Sequence, residues 1–580
     1  MSMRRGKSSR RTWVPASFFG VFALVVFARL AQLQVLDHET YAEQAKTEQA
    51  GHTTIFARRG AVLDRNGNAL AVSVDTWDVY VNSRAWKEEI RGTKAAQQLA
   101  TRLRVNATDL RARVLKANGD VLISRDVDYE LGREIIHDGI AGVVMLPNTA
   151  RTNPEGDAAA SLLGFIGQDN VGLAGIEASY NDSLMGKPGR TIFERDTTGE
   201  PIPFGQYIAN DPVPGQDIVL TIDRFLQQLA ERRLAEAIKE HKAQGGAIII
   251  MDPATGEILA LATAPGIRYS TLNLNDPAQL ALMKNPAVTD VYEPGSVMKV
   301  ITASAAIDKG AVTPDSTYID NGVVLIYDVP IKNWDDNVYG LQSMTGVLQN
   351  SINTGAIYMQ QRLEAIDPGG FQRYLGAFGF GKPTGIDLSG EAIGIMRRPT
   401  DTDWSPVDLA TQAFGQSISV TPIQMINAVA TAINGGNLMR PHIVKAYVSS
   451  KGTRTDVQPE VVGRAISADT SATIRKMLYA VVNPEGRTHP AKPRDYTAGG
   501  KSGTANVPIW GKYDDRQVAS FIGFAPAEDP RILVLIKLDQ NQDLKTGTVA
   551  AGPVFSKIAD EALHYLNVRP DAARYAAGVR

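Results

Sequence analysis

The sequence contains no cysteine and only seven histidines among its 580 residues. The absence of cysteine excludes disulfide bonds, cysteine nucleophiles and thiolate metal sites. No histidines have the spacing of a zinc site, so we predict that the protein uses neither a metal nor another cofactor. The formal net charge is only −2, and it gives no indication of nucleic acid as a partner.

One apolar run close to the N-terminus is a candidate membrane span. The basic segment 1–11 precedes an uncharged stretch from Trp13 to Ala28, which the residues after Arg29 can extend because arginine can snorkel. A cleavable signal peptide is the alternative, but no small-x-small cleavage site follows the apolar core. We therefore predict an uncleaved anchor with the basic flank in the cytoplasm and the chain beyond about residue 38 outside.

A short segment around residue 296 carries the first indication of chemistry. Pro294 and Gly295 interrupt the chain, an apolar helical pattern follows, and Gly310 ends it, which predicts that Ser296 lies on the first turn of a helix. Lys299 follows three residues later, so both side chains project from the same helix face and can meet. A lysine held neutral can take the proton of a serine hydroxyl and make it a nucleophile.

Two later segments place further hydroxyls beside an amide and a cation. Ser351 and Asn353 lie two residues apart, and residues 501–504 read Lys-Ser-Gly-Thr. An isolated Ser-x-x-Lys pair occurs by chance about twice in a chain of this length. Ser-x-x-Lys, Ser-x-Asn and Lys-Thr-Gly in this order are the three motifs of penicillin-binding proteins and class A β-lactamases. Here a serine replaces the threonine of the third motif.

On these motifs the chain resembles a class B penicillin-binding protein, a peptidoglycan D,D-transpeptidase. The resemblance implies an α+β fold of the penicillin-binding-protein/serine β-lactamase type, an antiparallel sheet flanked by helices, on an N-terminal pedestal domain. The predicted elements agree in order: an apolar hairpin at 246–262, helices to about residue 445, and strands around 498–507, 518–524 and 532–538.

The resemblance also implies roles for the first two motifs. Ser296 would attack the carbonyl of the penultimate D-Ala of a stem peptide that ends in D-Ala-D-Ala, and Lys299 would be its base. Like-charge repulsion from Lys501 would keep Lys299 neutral. Ser351 would relay a proton to the leaving amine, and Asn353 would bind the donor peptide and orient Lys299.

The third motif would bind the terminal carboxylate of the substrate. Ser502 and Thr504, on either side of Gly503, would offer their hydroxyls beside the charge of Lys501. The backbone N–H groups of Ser296 and Thr504 would form the oxyanion hole. An amine from a neighbouring stem peptide would then form the cross-link, and the resemblance also allows a carboxypeptidase side activity. β-Lactams would trap Ser296 in the same way.

Three segments before the catalytic motifs, at 59–72, 151–167 and 175–189, resemble the family's pedestal. The first of them is predicted to be a hairpin with an Asn-Gly turn, and we interpret its polar residues as structural. The predicted division of the chain is a cytoplasmic tail at 1–12, a transmembrane anchor at 13–37, a pedestal at 38–222, a transpeptidase domain at 223–568 and a C-terminal tail at 569–580.

The partners follow from the same resemblance. We expect stem peptides and β-lactams at the active site, and a multi-span glycan polymerase of the SEDS type and division proteins along the anchor and pedestal. The lipid bilayer would surround the anchor, and the catalytic domain would be extracytoplasmic. The interval between anchor and pedestal has no room for a glycosyltransferase domain, so the protein would cross-link glycan without polymerising it.

Several alternatives use the same motifs. A serine β-lactamase would need a glutamate that activates water; Glu391 lies in the right interval, but its segment, 380–391, resembles transpeptidases. An inactive division scaffold should have a broken motif, whereas all three are intact. An elongation-type transpeptidase remains an alternative, although residues 291–296 and 380–391 resemble the division type more closely.

The remaining polar residues receive structural interpretations. Residues 334–337, Trp-Asp-Asp-Asn, either line the groove near Ser351 or form an exposed acidic loop. His442 and His489 are interpreted as surface or loop residues. The segment 414–422 resembles a family segment that leads into a helix, and we expect no direct chemistry from it.

Overall fold

The computed structural model describes residues 10–39, 41, 50–194, 208–509 and 512–576. Its α-helices are α1 (Arg10–Ala31), α2 (Glu89–Leu103), α3 (Ala107–Leu115), α4 (Tyr129–His137), α5 (Ala160–Leu163), α6 (Gly175–Ser179), α7 (Asn181–Met185), α8 (Arg224–His241), α9 (Pro277–Ala281), α10 (Pro286–Thr289), α11 (Lys299–Asp308), α12 (Met344–Asn350), α13 (Asn353–Ile366), α14 (Gly370–Ala377), α15 (Pro406–Gln412), α16 (Pro422–Ile433), α17 (Ala468–Val482), α18 (Gly547–Ala550), α19 (Gly552–Tyr565) and α20 (Asp571–Ala576). Its strands are β1 (Ala50–Ile55), β2 (Val62–Leu63), β3 (Ala69–Asn82), β4 (Asp120–Asp128), β5 (Val143–Thr152), β6 (Gly189–Glu194), β7 (Ile208–Asn210), β8 (Asp217–Leu220), β9 (Gly245–Met251), β10 (Ile258–Ala264), β11 (Thr317–Asp320), β12 (Val323–Ile326), β13 (Val329–Lys332), β14 (Gly340–Ser343), β15 (Ile395–Met396), β16 (Ile418–Ser419), β17 (Asn437–Met439), β18 (Val444–Val448), β19 (Arg454–Asp456), β20 (Val461–Arg464), β21 (Gly499–Ile509), β22 (Lys512–Ala525) and β23 (Ile532–Asp539).

One compact unit joins the described residues up to Ala57 with the described residues between Lys187 and Val213. It contains α1 and a three-stranded antiparallel sheet in the order β1-β6-β7. Ser17–Val35 has a mean hydropathy of 1.8 with none of its apolar window buried, so it is long and apolar enough to cross a membrane. The anchor predicted at 13–37 overlaps this segment.

The second compact unit joins Arg58–Gly186 with the described residues from Pro214 onward. Its first part is a seven-stranded sheet in the order β19-β18-β8-β2-β3-β4, with β5 also paired to β3. The pair β2 and β8 is parallel, and the pairs on either side of it are antiparallel. The hairpin predicted at 59–72 is confirmed, since β2 pairs with the beginning of β3.

Buried charges join three segments of this first part. Arg59 Nε lies 2.6 Å from Glu177 Oε2, and Arg151 Nε lies 2.7 Å from Glu177 Oε1. All three side chains are at most 7% exposed, and buried charges require such pairing. The interpretation of the polar residues around Arg59 as structural agrees with these contacts.

The catalytic part is built on a five-stranded antiparallel sheet in the order β10-β9-β23-β22-β21. Ile248 and Ile250 belong to the core with α8 and α19, whereas Ile249 and Met251 belong to the core with α11 and α16. Successive side chains of a strand point to opposite faces, so a sheet covered on both faces requires a continuous apolar run. The α+β fold and its predicted strands are thus confirmed.

Three elements of this part converge at one place. A 3₁₀ turn, Gly295–Met298, leads directly into α11. The junction of α12 and α13 lies at residues 351 and 352. Strand β21 forms one edge of the described sheet. Each of these elements carries one of the three sequence motifs.

Candidate active site

Ser296 lies in the 3₁₀ turn Gly295–Met298, which leads directly into α11, so it lies on the first turn of a helical segment, as predicted. Gly295 has a φ of +55°, and a Cβ added there would lie 2.9 Å from the carbonyl oxygen of Thr504. Glycine adopts this conformation without strain and permits the close approach. Helix α11 ends at Asp308, and Gly310 follows with a φ of +74°, as the sequence predicts.

Lys299 contacts Ser296, as the three-residue spacing predicts. Its Nζ atom lies 3.0 Å from Ser296 Oγ, and the side chain is fully buried. The same Nζ donates to Asn353 Oδ1 over 2.8 Å and to the Ser351 carbonyl over 2.6 Å. A neutral amine that donates to these two oxygens keeps its lone pair for the proton of Ser296.

The second motif lies where one helix ends and the next begins. Ser351 has a φ of +56° after α12, and Asn353 is the first residue of α13. A left-handed conformation costs a serine free energy and is a feature of many functional sites. Asn353 Nδ2 donates to the Lys332 carbonyl over 3.0 Å, which leaves its Oδ1 facing Lys299.

Lys501 brings the third motif to the second. Its side chain is 1% exposed, and Nζ lies 3.0 Å from Ser351 Oγ. The same Nζ lies 3.4 Å from Ser502 Oγ. The hydroxyl of Ser351 is also 3.3 Å from Lys299 Nζ, so it lies between the two amines and can pass a proton from one to the other.

Gly503 and Thr504 join strand β21 to the 3₁₀ turn Gly295–Met298, called the nucleophile turn below because it carries the predicted nucleophile Ser296. A Cβ added at Gly503 would lie 2.7 Å from the Pro294 carbonyl oxygen, so the strand and the turn are in close backbone contact. Thr504 Oγ1 accepts a hydrogen bond of 3.1 Å from the backbone N–H of Gly547. Its hydroxyl proton remains available as a donor.

Burial dominates the electrostatics of the two lysines. It lowers the pKa of Lys299 well below its ordinary value, and the charge of Lys501 is the second cause. Burial also lowers the pKa of Lys501, to about 7. The prediction that repulsion from Lys501 keeps Lys299 neutral therefore named the smaller of the two causes.

The segment 414–422 packs against the nucleophile turn. Gly295 N donates to the Gly415 carbonyl over 3.0 Å, and Ser417 N donates to Glu293 Oε1 over 2.9 Å. These contacts fix the backbone on either side of Pro294. Sequence reasoning gave this segment no role, and the short motif-like run Phe-Gly-Gln-Ser was the only signal of its importance.

The loop after β13 lies beside the second motif. Asn333 Oδ1 accepts the backbone N–H groups of Asn353 and Thr354 over 3.1 and 3.2 Å. The carboxylate of Asp335 partly opposes the lowering of the Lys299 pKa by burial and by Lys501. Trp334 is 58% exposed. The loop is therefore exposed at Trp334 and also lies near Ser351, so both alternatives for residues 334–337 hold in part. Sequence reasoning missed Asn333, which belongs to no motif.

The two histidines differ from each other. His442 lies in the connection between β17 and β18, so it is a loop residue as predicted, but it is 6% exposed and pairs through its backbone with Glu257, so it is not a surface residue. His489 lies in the loop after α17, as predicted. Burial and the charge of Lys501 lower the pKa of His489 to about 4.

Glu391 hydrogen-bonds within its own loop. Its Oε1 accepts from Thr384 N over 2.7 Å and its Oε2 from Gly385 N over 3.1 Å. Both carboxylate oxygens are thus occupied by the loop backbone. Within the described ranges, no group of three or more His, Asp or Glu side chains could hold a metal ion.

The geometry combines the requirements of acyl transfer through a serine. Ser296, the predicted nucleophile, contacts a buried amine of lowered pKa, and the hydroxyl of Ser351 lies between that amine and the amine of Lys501. The edge strand β21 beside them can accept an extended peptide by strand addition. The structure brings all three predicted motifs together.

Both the catalytic part of the chain and the part that precedes it are similar to known proteins. Residues 246–560 match the family model described as "Penicillin binding protein transpeptidase domain", and residues 54–220 match "Penicillin-binding Protein dimerisation domain". Stage V sporulation protein D of Bacillus subtilis is 34% identical over 561 residues, which are 95% of this chain and 85% of that protein. The peptidoglycan D,D-transpeptidase FtsI of Escherichia coli is 30% identical over 556 residues, 94% of this chain and 90% of that protein. The crystal structure of penicillin-binding protein 2X from Streptococcus thermophilus is similar with a TM-score of 0.77 and 25% identity, covering 89% of this chain and 80% of that one.

Proposed function

Because the chain belongs to the class B penicillin-binding proteins, which are peptidoglycan D,D-transpeptidases, we propose that it cross-links stem peptides through an acyl-enzyme on Ser296 during septal wall synthesis. The contact of 3.0 Å between Ser296 Oγ and the buried amine of Lys299 carries this proposal. A hydroxyl becomes a nucleophile only when a neighbouring group takes its proton.

Acylation begins when Ser296 Oγ attacks the carbonyl carbon of the penultimate D-Ala. The hydroxyl proton passes to Lys299 Nζ, which is neutral because burial lowers its pKa. The C–N bond to the last D-Ala then breaks, and that nitrogen receives a proton from Ser351, which regains one from Lys299. D-Ala leaves as a neutral amine, and the donor peptide remains as an ester of Ser296.

Substrate binding divides between the third motif and the nucleophile turn. Lys501, with a pKa lowered to about 7 by burial, gains a stabilising charge partner when the terminal carboxylate binds. Ser502 and Thr504 donate hydroxyl hydrogen bonds to that carboxylate. The backbone N–H groups of Ser296 and Thr504 stabilise the oxyanion. Asn353 binds the donor peptide and orients Lys299.

An amine of a second stem peptide completes the reaction. It attacks the ester carbonyl carbon of the acyl-enzyme and loses a proton to Lys299. The C–O bond to Ser296 then breaks, Lys299 returns the proton to Ser296 Oγ, and the peptide cross-link is formed. Water in place of the amine would give carboxypeptidase activity. A β-lactamase would need a carboxylate that activates this water, and Glu391 is occupied by the backbone of its own loop.

The basic N-terminal segment supports the proposed location, and two family-like segments support the proposed septal role. The basic residues 1–11 favour a cytoplasmic N-terminus, with the pedestal at 38–222 and the catalytic domain at 223–568 outside the membrane. Residues 291–296 and 380–391 resemble the division type, so a SEDS-type polymerase and division proteins would be its partners. Depletion of the protein in its source organism should produce undivided filaments. Rounded cells would instead indicate a role in cell elongation.

Labelling of the purified full-length protein with a fluorescent penicillin tests the chemistry. The wild type should form an adduct that persists for many minutes, and Ser296→Ala should form none while it keeps the wild-type Tm. Ser304→Ala is the matched control, because Ser304 lies on the same helix and its hydroxyl only donates to the Val300 carbonyl. This control should label normally.

The adduct distinguishes the proposed enzyme from its alternatives. Labelling of Ser296→Ala at wild-type yield would contradict the assignment of the nucleophile. Rapid decay of the wild-type adduct would indicate a β-lactamase. A wild type that folds but never labels would favour an inactive scaffold.

A further inference from the structure

Asp320, at the end of β11, is a buried carboxylate. It is 1% exposed, and within the described residues it forms no ion pair. A buried charge is costly unless hydrogen bonds satisfy it. We infer that Asp320 and Asn333 are positioning residues that align Asn353 of the second motif against Lys299. This inference rests on the proposed function.

Hydrogen bonds hold the carboxylate of Asp320 on both oxygens. Oδ1 accepts from Thr354 Oγ1 over 2.6 Å and from Gly322 N over 3.0 Å. Oδ2 accepts from Asn333 Nδ2 over 2.9 Å and from Tyr339 N over 2.8 Å. Four donors from three different segments thus meet on one side chain. Such a network has one low-energy arrangement because every member is satisfied.

Asn333 transfers this arrangement to the second motif. Its Nδ2 donates to Asp320, so its Oδ1 must face the other way, where it accepts the backbone N–H groups of Asn353 and Thr354. Asn333 is 3% exposed and has no room to turn freely. Asn333 Nδ2 also donates to the Asn337 carbonyl over 3.0 Å, so this carbonyl and the carboxylate of Asp320 together decide which end of the Asn333 amide meets helix α13.

Helix α13 needs this external cap. The residue at its own N-cap position is Ile352, which has no side chain that can accept a hydrogen bond. The first N–H groups of a helix have no partner within the helix, and Asn333 supplies one from another element. The first residue of this helix is Asn353, whose Oδ1 lies 2.8 Å from Lys299 Nζ. A shift of the cap therefore shifts the group that orients the base.

The charge of Asp320 is what the arrangement requires. A carboxylate only accepts hydrogen bonds, so the amide of Asn333 can meet it only through Nδ2. An asparagine at 320 would offer a donor and an acceptor, so the Asn333 amide could rotate and present Nδ2 to the helix N–H groups. The negative charge also lies near the N-terminus of α13, where the helix dipole favours it.

The decisive experiment is a double-mutant cycle between Asp320→Asn and Asn353→Ala, measured as penicillin acylation. The dependence of the labelling rate on penicillin concentration separates the first-order acylation rate from the noncovalent dissociation constant. For Asp320→Asn we expect the first-order rate to fall between about 10-fold and about 100-fold, which is the effect of a misplaced catalytic group. The dissociation constant should change less than about twofold, because the third motif is intact.

The cycle separates positioning from general destabilisation. If Asp320 acts through Asn353, the double variant should acylate no more slowly than Asn353→Ala alone, since coupled residues are not additive. Thr354→Val removes one hydrogen-bond donor to Asp320 and keeps the size of the side chain at 354. It should lower the first-order acylation rate less than Asp320→Asn does. This variant also decides the matter if Asp320→Asn fails to fold.

Asp387→Asn is the matched control. Asp387 also accepts several hydrogen bonds, from Tyr180 Oη, Ile443 N and Val444 N, away from the three motifs. The same chemical change there should leave the acylation rate within about twofold of the wild type, even if it lowers Tm.

Three results would overturn the inference. The first is a wild-type acylation rate in both Asp320→Asn and Thr354→Val. The second is a double variant whose loss of rate equals the product of the losses in Asp320→Asn and Asn353→Ala. The third is a loss in Asp387→Asn as large as that in Asp320→Asn. Failure of the proposed function looks different, because the wild type itself would then remain unlabelled.

Discussion

Two buried lysines of the catalytic sheet differ in their partners. Lys501 on β21 is 1% exposed, and its Nζ contacts hydroxyl and carbonyl oxygens of Ser351 and Ser502. Lys537 on β23 is 6% exposed but forms an ion pair with Asp539 and lies over the ring of Tyr292. Within the described part of the chain, no carboxylate pairs with Lys501. The burial of Lys501 should therefore cost stability, as expected for a residue kept for the proposed function.

We expect Lys501→Met to abolish penicillin acylation and to raise Tm by several degrees at pH 7. The pKa of Lys501 is about 7 in the folded protein and about 10.4 in an unfolded chain. Between these values the unfolded chain binds a proton that the folded protein does not, so the free energy of unfolding rises with pH. The stabilisation by Lys501→Met should therefore be largest at or below pH 7 and should fade towards pH 10. Thermal unfolding at several pH values measures this difference.

Lys537→Met is the control for this prediction. The substitution removes the same ammonium from the same sheet but leaves Asp539 without its partner. It should lower Tm or leave it unchanged. A Tm increase of equal size in both variants would mean that removing any buried lysine stabilises the domain, and the interpretation of Lys501 would be wrong.

At this scale, sequence predicts contacts within one segment and misses contacts between segments. The contact of Ser296 with Lys299 follows from a spacing of three residues in one helical segment. Asn333 instead caps α13 from a position 20 residues before Asn353. When a side chain from one element caps a distant helix, the sequence near the helix contains no sign of it. The capping of α13 by Asn333 could therefore not be predicted from this sequence.

At the scale of elements, the turn that carries Ser296 depends on a second turn. Gly415 has a φ of +86°, and a Cβ added there would lie 2.1 Å from the Gly295 carbonyl oxygen. The two backbones are also joined by the hydrogen bond from Gly295 N to the Gly415 carbonyl. The position of the nucleophile is therefore set by a segment more than a hundred residues away in sequence.

We expect Gly415→Ala to reduce the acylation rate by about 100-fold or more, because a displaced turn moves Ser296. The added methyl group must push the Gly295 carbonyl away, since neither backbone is free to bend without loss of their hydrogen bond. The rate constant for labelling with fluorescent penicillin measures the effect.

Gly452→Ala controls for the conformational part of this change. Gly452 has a φ of +80°, but a Cβ there would meet no atom within 4 Å. Both substitutions cost about 1–2 kcal/mol through the left-handed conformation, so both should lower Tm. Wild-type acylation by Gly415→Ala, or an equal loss in Gly452→Ala, would contradict the dependence of the nucleophile turn on Gly415.

Elements of the central sheet were predictable where their pattern is local. The hairpin of β9 and β10 and the strands β21 to β23 follow from apolar runs bounded by turn residues. The sequence predicted that Ser296 lies on the first turn of a helix, and in the structure this first turn, Gly295–Met298, is a 3₁₀ turn. Such turns are common at helix N-termini, and here contacts with Gly415 and Thr504 decide the conformation.

At the scale of the whole molecule, one buried cluster holds the first part of the second compact unit together. Glu177 lies between Arg59 and Arg151, and Arg59 also donates to the Asn170 and Glu177 carbonyls. The three charged residues come from three of the segments that resemble the pedestal. The sequence predicted these segments but not the contact between them, because residues 59 and 177 are 118 positions apart.

We expect Glu177→Gln to destabilise this part by about 3–5 kcal/mol, because it leaves two buried guanidinium groups without their shared carboxylate. Burial already lowers the pKa of Arg151, and Glu177 is the main opposing influence. Thermal unfolding and hydrogen exchange of β2, β3 and β8 should show the loss, while penicillin acylation at low temperature should be unchanged. Glu134→Gln, which removes one exposed partner of Arg102, should change neither. Unaltered hydrogen exchange in Glu177→Gln would mean that backbone contacts alone hold the segments together, and parallel loss of acylation would mean that the cluster also sets the geometry around Ser296.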